Sequence, residues 1–204
     1  MPEQIHVSPA GVKYRLVASR TTTPTNDTSA KEIIVNSASL EVIVSDSRLR
    51  SVGSQWGHVA IEIDGTVYSR AHEEYVKIDK HTYFYGGIVH LTNGSIRTSG
   101  NLWRDNLGLV LRVSPAEKEK VKRELERRVS VDRAFKLAHP NESTYSLFDN
   151  SCSSNVADAL ESIGILAHDP RWPPTPVTPA ELDAVLQKSK RLAKMNHYPK
   201  QANQ

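Results

Sequence analysis

Residues 57–69 read GHVAIEIDGTVYS, and residues 150–160 read NSCSSNVADAL. In the first stretch apolar residues alternate from His58 to Ile63, Asp64-Gly65 follows, and Thr66 to Ser69 resumes an extended pattern. Asp-Gly readily adopts the positive φ angles that a two-residue turn requires, so the stretch predicts a tight antiparallel hairpin. Alternation places Val59, Ile61 and Ile63 on one face and His58, Ala60 and Glu62 on the other. His58 thus stands at the mouth of the first strand, opposite the apolar row. Gly57 before it leaves room for substrate or a facing helix to approach the backbone.

In the second stretch Val156, Ala159, Leu160 and Ile163 share one helical face, and Gly164 supplies the stop. Asn150, Ser151, Ser153 and Ser154 are small polar residues of the kind that cap a helix start, which puts Cys152 in the first turn. A thiol is an effective nucleophile only as thiolate, and a helix amino terminus or a neighbouring imidazolium favours that form. Backbone N–H groups at the same terminus suit an oxyanion. The competing reading makes Cys152 a small buried apolar residue; its polar neighbours argue against burial. Ser151 and Ser153 lack the glycine-flanked elbow of serine hydrolases.

Working outward, Leu40 to Val44 and Leu107 to Val113 read as buried strands, and Tyr75 to Ile78 as a weaker one. Asn93-Gly94 marks a further turn. Ser114, Pro115 and Glu117 open a helix that runs to about Val131 with Val121, Leu125 and Val129 inward. Its run EKEKVKRELERR is a solvated face. Thr178, Pro179 and Glu181 open another helix, with Leu182, Val185 and Leu186 inward. The segment RTTTPTNDTSAK at residues 20–31 reads as a loop, and RWPPTPVTP at 171–179 as an extended connector. The expected division is an amino-terminal segment and linker over 1–31, a single α+β domain over 32–187, and a basic tail over 188–204.

The 204 residues carry 26 Lys+Arg against 23 Asp+Glu, and the excess comes from Lys188, Lys190, Arg191, Lys194 and Lys200, with no acid after Asp183. That is a tail effect and gives no reason to expect a nucleic-acid partner. With 38% hydrophobic and 24% charged residues the chain can bury a core of ordinary size. No run approaches the ~20 apolar residues of a membrane span. The start, MPEQIHVSPAGVKYRL, lacks the apolar core of a secretory signal, so synthesis in the cytoplasm is expected. One cysteine excludes an intrachain disulfide. His81, His90, His139, His168 and His197 show no ligand spacing, and no glycine-rich loop follows a strand, so neither a metal nor another cofactor is expected.

The two opening stretches together resemble the circularly permuted papain-like fold of the NlpC-type peptidase superfamily, in which the histidine precedes the cysteine. The resemblance covers about Leu40 to Leu186 and implies an antiparallel sheet packed against the helix that bears the nucleophile. It makes Cys152 the nucleophile and His58 the general base of a cysteine peptidase. Such enzymes carry a third polar residue on the second hairpin strand, which orients the imidazole. Register from His58 puts that position at Ser69, a departure from the His, Asn, Gln or acid usual there. Arg70 points to the other face and cannot accept; His72, if the strand is bulged, and Asp46, at the end of the preceding strand, are the other candidates. Tyr145 resembles the aromatic that lines the groove or assists the oxyanion, with a core role as the alternative. Gln55 and Trp56 are candidates for the same cleft, Trp56 also for packing.

By resemblance the substrate is an amide in the peptide stems of bacterial peptidoglycan. A small, single-cysteine enzyme of this kind is similar to the antibacterial effectors delivered by type VI secretion into a rival's periplasm. That implies a cognate immunity protein and a carrier in the secretion apparatus, with the amino-terminal segment serving loading. Permuted relatives similar to lecithin retinol acyltransferase use the same order on lipid esters, which makes a lipid acyltransferase or lipase the alternative. An inactive interaction module is the third reading, because Ser69 is a weak orienter.

Overall fold

The computed structural model describes residues 5–7, 13–15, 19–22, 31–34, 38–47, 56–171 and 176–201, the first four stretches as backbone. The hairpin that the sequence predicts is present. β6 (His58–Ile63) and β7 (Thr66–Arg70) pair antiparallel through Ile63–Thr66, Glu62–Val67 and Ile61–Tyr68. Asp64 and Gly65 close it at φ 51° and 81°, the double left-handed turn that suits this pair of residues. β5 (Ala38–Ser45) lies on the other side of β6, and β8 (Tyr75–Asp79) on the other side of β7. β11 (Asn106–Val113) pairs with β5, and β12 (Leu192–Tyr198) with β11. The result is a six-stranded antiparallel sheet of order β12-β11-β5-β6-β7-β8.

Both faces of this sheet are covered. One carries Val42, Val59, Ile61, Ile63, Leu109 and Leu111 against α2 (Pro115–Ala138), α3 (Cys152–Glu161) and α4 (Pro179–Gln187), which add Val121, Leu125, Leu160, Leu182 and Leu186. Each such buried side chain contributes about 2 kcal/mol of apolar transfer energy. The opposite face carries Ile43, Ala60 and Val67 beneath Tyr83 and Phe84 of α1 (Lys80–Tyr85). The architecture is α+β. A two-stranded ladder of β9 (Gly87–Leu91) and β10 (Gly94–Thr98) turns through Thr92 and Asn93, one residue earlier than the predicted Asn93-Gly94, with Gly94 paired to Leu91. Among the amino-terminal residues, β1 (Ile5–Val7) pairs with β2 (Lys13–Arg15), and β3 (Ser19–Thr22) with β4 (Lys31–Ile34).

Several expectations are corrected. The basic tail is largely β12, the sheet's edge strand. Tyr198 stacks on Phe84 at 4.3 Å and donates its hydroxyl to Glu41 at 2.9 Å, and Arg191 reaches Glu117 at 3.1 Å. These partners lie far upstream, so LAKMNHY shows no strand signal of its own. The loop expected over 20–31 overlaps β3 at its start, where β-branched threonines favour extended backbone. α2 runs to Ala138, seven residues past Val131, because Asp132 and Lys136 are buried along the same stripe as Val121, Leu125 and Val129. The capping boxes at Ser114 and Thr178 form as expected.

Gly57, at φ 95°, sits where an added Cβ would lie 2.9 Å from the Ser45 carbonyl oxygen and 3.3 Å from Pro179. The facing helix anticipated in front of His58 is thus α4. Gly65, at φ 81°, faces open space. Gly65→Ala is therefore expected to cost about 1 kcal/mol for backbone conformation alone, and Gly57→Ala about 3 kcal/mol because the contacting backbone must also shift. Urea denaturation of both variants checks the order; equal losses would show that the approach of α4 to Gly57 carries no energy.

Candidate active site

His58 is the first residue of β6, and Ser69 is the fourth of β7. Continuing the hairpin register sets Ser69 opposite Ala60, which puts its hydroxyl on the His58 face, one diagonal step from the ring. The structure makes that contact: His58 Nε2 and Ser69 Oγ are 2.6 Å apart. Ser69, one of the three residues considered for this position, touches the imidazole. His72 instead lies by Glu73 at 3.4 Å and against the Tyr145 ring at 5.2 Å. The Asp46 carbonyl accepts from Arg104 at 3.2 Å.

His58 is partly exposed as a residue, yet its ring is desolvated. Burial, aided by the nearby Arg104 guanidinium, lowers the imidazole from 6.5 to about 3. Arg104 itself is 3% exposed, bonded through Nε to Asn101 and packed on Trp103. Its place beside the histidine was not readable from WRDN, because its buried partners come from the end of β5 and from Asn101.

Cys152 is the first residue of α3, capped by Ser151 in a box with Ser154. The expectation that polar neighbours keep the thiol exposed is overturned: Cys152 is 5% exposed, and Ser151, Ser153 and Ser154 are buried with it. Their hydroxyls are satisfied internally. Ser151 Oγ accepts from Ser154 N at 3.2 Å, Ser154 Oγ accepts from Ser151 N at 2.8 Å, and Ser153 Oγ donates to the Val177 carbonyl. Small polar residues that satisfy one another can line a buried helix start.

Burial raises the Cys152 thiol above its ordinary value, while the Val59 and Ser153 N–H groups and the Tyr145 and Ser153 hydroxyls pull the other way. One of these groups, the Val59 N–H, belongs to the peptide that follows His58. Tyr145 is a neighbour of both the Cys152 sulfur and its N–H, and burial near the thiol pushes the phenol up to about 12. No direct hydrogen bond joins Sγ to the His58 ring among the described residues.

His58, Ser69, Arg70, His72, Arg104 and Tyr145 line one cavity of ≈ 310 Å³, whose far wall is Ile78, Val89, Leu91 and Ile96. Among the described residues no carboxylate lines it. Trp56 is 72% exposed and lies outside this lining, so it is not a packing residue. Gln55 lies outside the described residues. Among the described residues no cluster of three metal-ligating side chains occurs, and no helix is long and apolar enough to cross a membrane. Compared with protein-family models, curated proteins and solved structures, the chain gives no match.

The depressed imidazole has a consequence for stability. The unfolded chain binds a proton at His58 near pH 6.5, whereas the folded chain refuses it until about pH 3. The contribution is fully present above 6.5 and is lost as pH falls through that window. Unfolding free energy should decline more steeply from pH 6.5 to 4 in the native chain than in His58→Gln; parallel declines would show that the ring takes up its proton freely in the folded state.

Proposed function

We propose that this chain is a cysteine hydrolase of the permuted papain-like type that cleaves an amide bond in the peptide stems of bacterial peptidoglycan. The observation that carries the reading is the placement of the Cys152 sulfur, at the start of α3, against the Val59 N–H, one residue from a histidine already oriented by Ser69. Residues 58 and 152 come from elements far apart in sequence, and α3 packs on the face of the sheet that β6 shares.

In the tautomer whose Nε2 donates to Ser69, Nδ1 carries the lone pair that takes the thiol proton. The sulfur attacks the carbonyl carbon, and the oxyanion forms beside the Cys152 N–H and the Tyr145 hydroxyl. His58 returns the proton to the departing amine as the C–N bond breaks. Water then cleaves the thioester by the same route, with His58 again the base. Burial raises the thiol and lowers the imidazole, so the resting pair is neutral, and proton transfer accompanies attack rather than preceding it. An enzyme poised in this way is quiescent until substrate is seated. That property suits a toxin made in a cytoplasm, neutralised there by an immunity protein, and carried by type VI secretion into a rival's periplasm.

A second reading draws on the apolar wall of the cavity, where Ile78, Val89, Leu91 and Ile96 offer a surface for an acyl chain. It makes the same Cys152 and His58 act on a lipid ester.

Exported to the periplasm of a bacterium, the native chain is expected to lyse its host and Cys152→Ala to be harmless, with His58→Ala at least 100-fold less active on isolated sacculi. Mass analysis of the digest reads the outcome. Stem peptides that stay intact after prolonged digestion refute the peptidoglycan reading, and fatty acid released from phospholipid vesicles establishes the lipid one.

A further inference from the structure

Arg70 is one of the largest fully buried side chains, 2% exposed, and it enters from the end of β7 on the side away from Ser69. A buried guanidinium is costly unless it is paired and its donors are used. Here Nη1 donates to the Ala71 carbonyl at 2.7 Å and Nη2 to Thr144 Oγ1 at 3.0 Å, with Asp132 Oδ1 at 3.6 Å. The guanidinium carbon lies 5.5 Å from the centre of the Tyr145 ring. Asp132 in turn accepts from Tyr75 N at 2.6 Å and from Thr144 Oγ1 at 2.8 Å, and Asn150 Nδ2 donates to the Thr144 carbonyl at 2.8 Å. Three separate elements, β7, β8 and α2, thus converge through one cation on the segment between α2 and α3.

That convergence matters because of what the segment carries. Of the groups that favour a Cys152 thiolate, the Val59 N–H is fixed by β6 and Ser153 by α3. The Tyr145 hydroxyl alone comes from an irregular stretch, where Ser146 and Asn150 form an isolated bridge. No backbone ladder holds the ring in place. We propose that Arg70 is the positioning residue of this site, its guanidinium anchored on Asp132 and Thr144 and laid against Tyr145 so that the phenol stays at the Cys152 sulfur. This rests on the reading of Cys152 as the nucleophile. A planar fork serves where a point charge does not, because Nη1 and Nη2 are bonded to different partners while the face meets the ring, Nε alone lacking a partner among the described residues.

The test follows the pH dependence of Cys152 alkylation by iodoacetamide on the full chain, beside thermal unfolding of each variant. Tyr145→Phe is expected to move the alkylation midpoint up by about one pH unit, roughly tenfold slower reaction below both midpoints. Arg70→Met should reproduce that displacement, and the double variant should move no further. Should Arg70→Met fail to fold, Arg70→Lys retains a cation against Asp132 and is expected to shift the midpoint in the same direction. An unchanged profile in Tyr145→Phe or in a folded Arg70 variant overturns the inference, as does a double variant whose displacement is the sum of the two. The readout needs no substrate. A thiol that titrates as described in a chain that cleaves neither amide nor ester refutes the hydrolase and leaves the role of Arg70 standing.

Discussion

The seating of the α3 amino terminus against the first peptide of β6 is the contact on which the rest of the site depends. Val59 supplies two things there: its side chain enters the apolar layer beneath α3, and its N–H is among the groups that favour the Cys152 thiolate. Apolar packing sets the helix height over the sheet, and the small buried serines at its start allow the close approach. A longer side chain at Ser151, Ser153 or Ser154 would lift the thiol away from the strand. Gly57 allows the same closeness from the other direction by admitting Pro179 of α4.

Electrostatics follow from that burial. A desolvated thiol resists losing its proton and a desolvated imidazole resists gaining one, so enclosure pushes both groups toward neutrality. Arg104 adds to the effect on His58. The cavity that His58 lines, and Cys152 does not, combines cationic and imidazole side chains with apolar ones and, among the described residues, no carboxylate. Such a lining receives a polar, electron-rich group at one end and a hydrocarbon portion at the other.

Much of the scaffold is legible locally. Asp64-Gly65 dictates its turn through backbone sterics, the three capping boxes start their helices wherever the chain is placed, and strand alternation sorts Val59 from His58. Ser69 could be reached by counting residues across a two-residue turn, because hairpin register is a short-range quantity. The candidate nucleophile and base were legible for the same reason, each standing at the start of an element with a strong local signal.

What the sequence by itself determined is therefore the set of elements, their caps and turns, and the face on which each side chain lies, all of which depend on neighbours a few residues away. Only the tertiary structure decided that the sulfur is enclosed, that the Ser69 hydroxyl meets the imidazole, and that the basic end closes the sheet as β12. It also decided that Arg70 and Arg104 are buried beside the site. Each of these outcomes is a contact between residues distant in the chain, and burial, which sets their energies, belongs to the assembled layers and to no single segment.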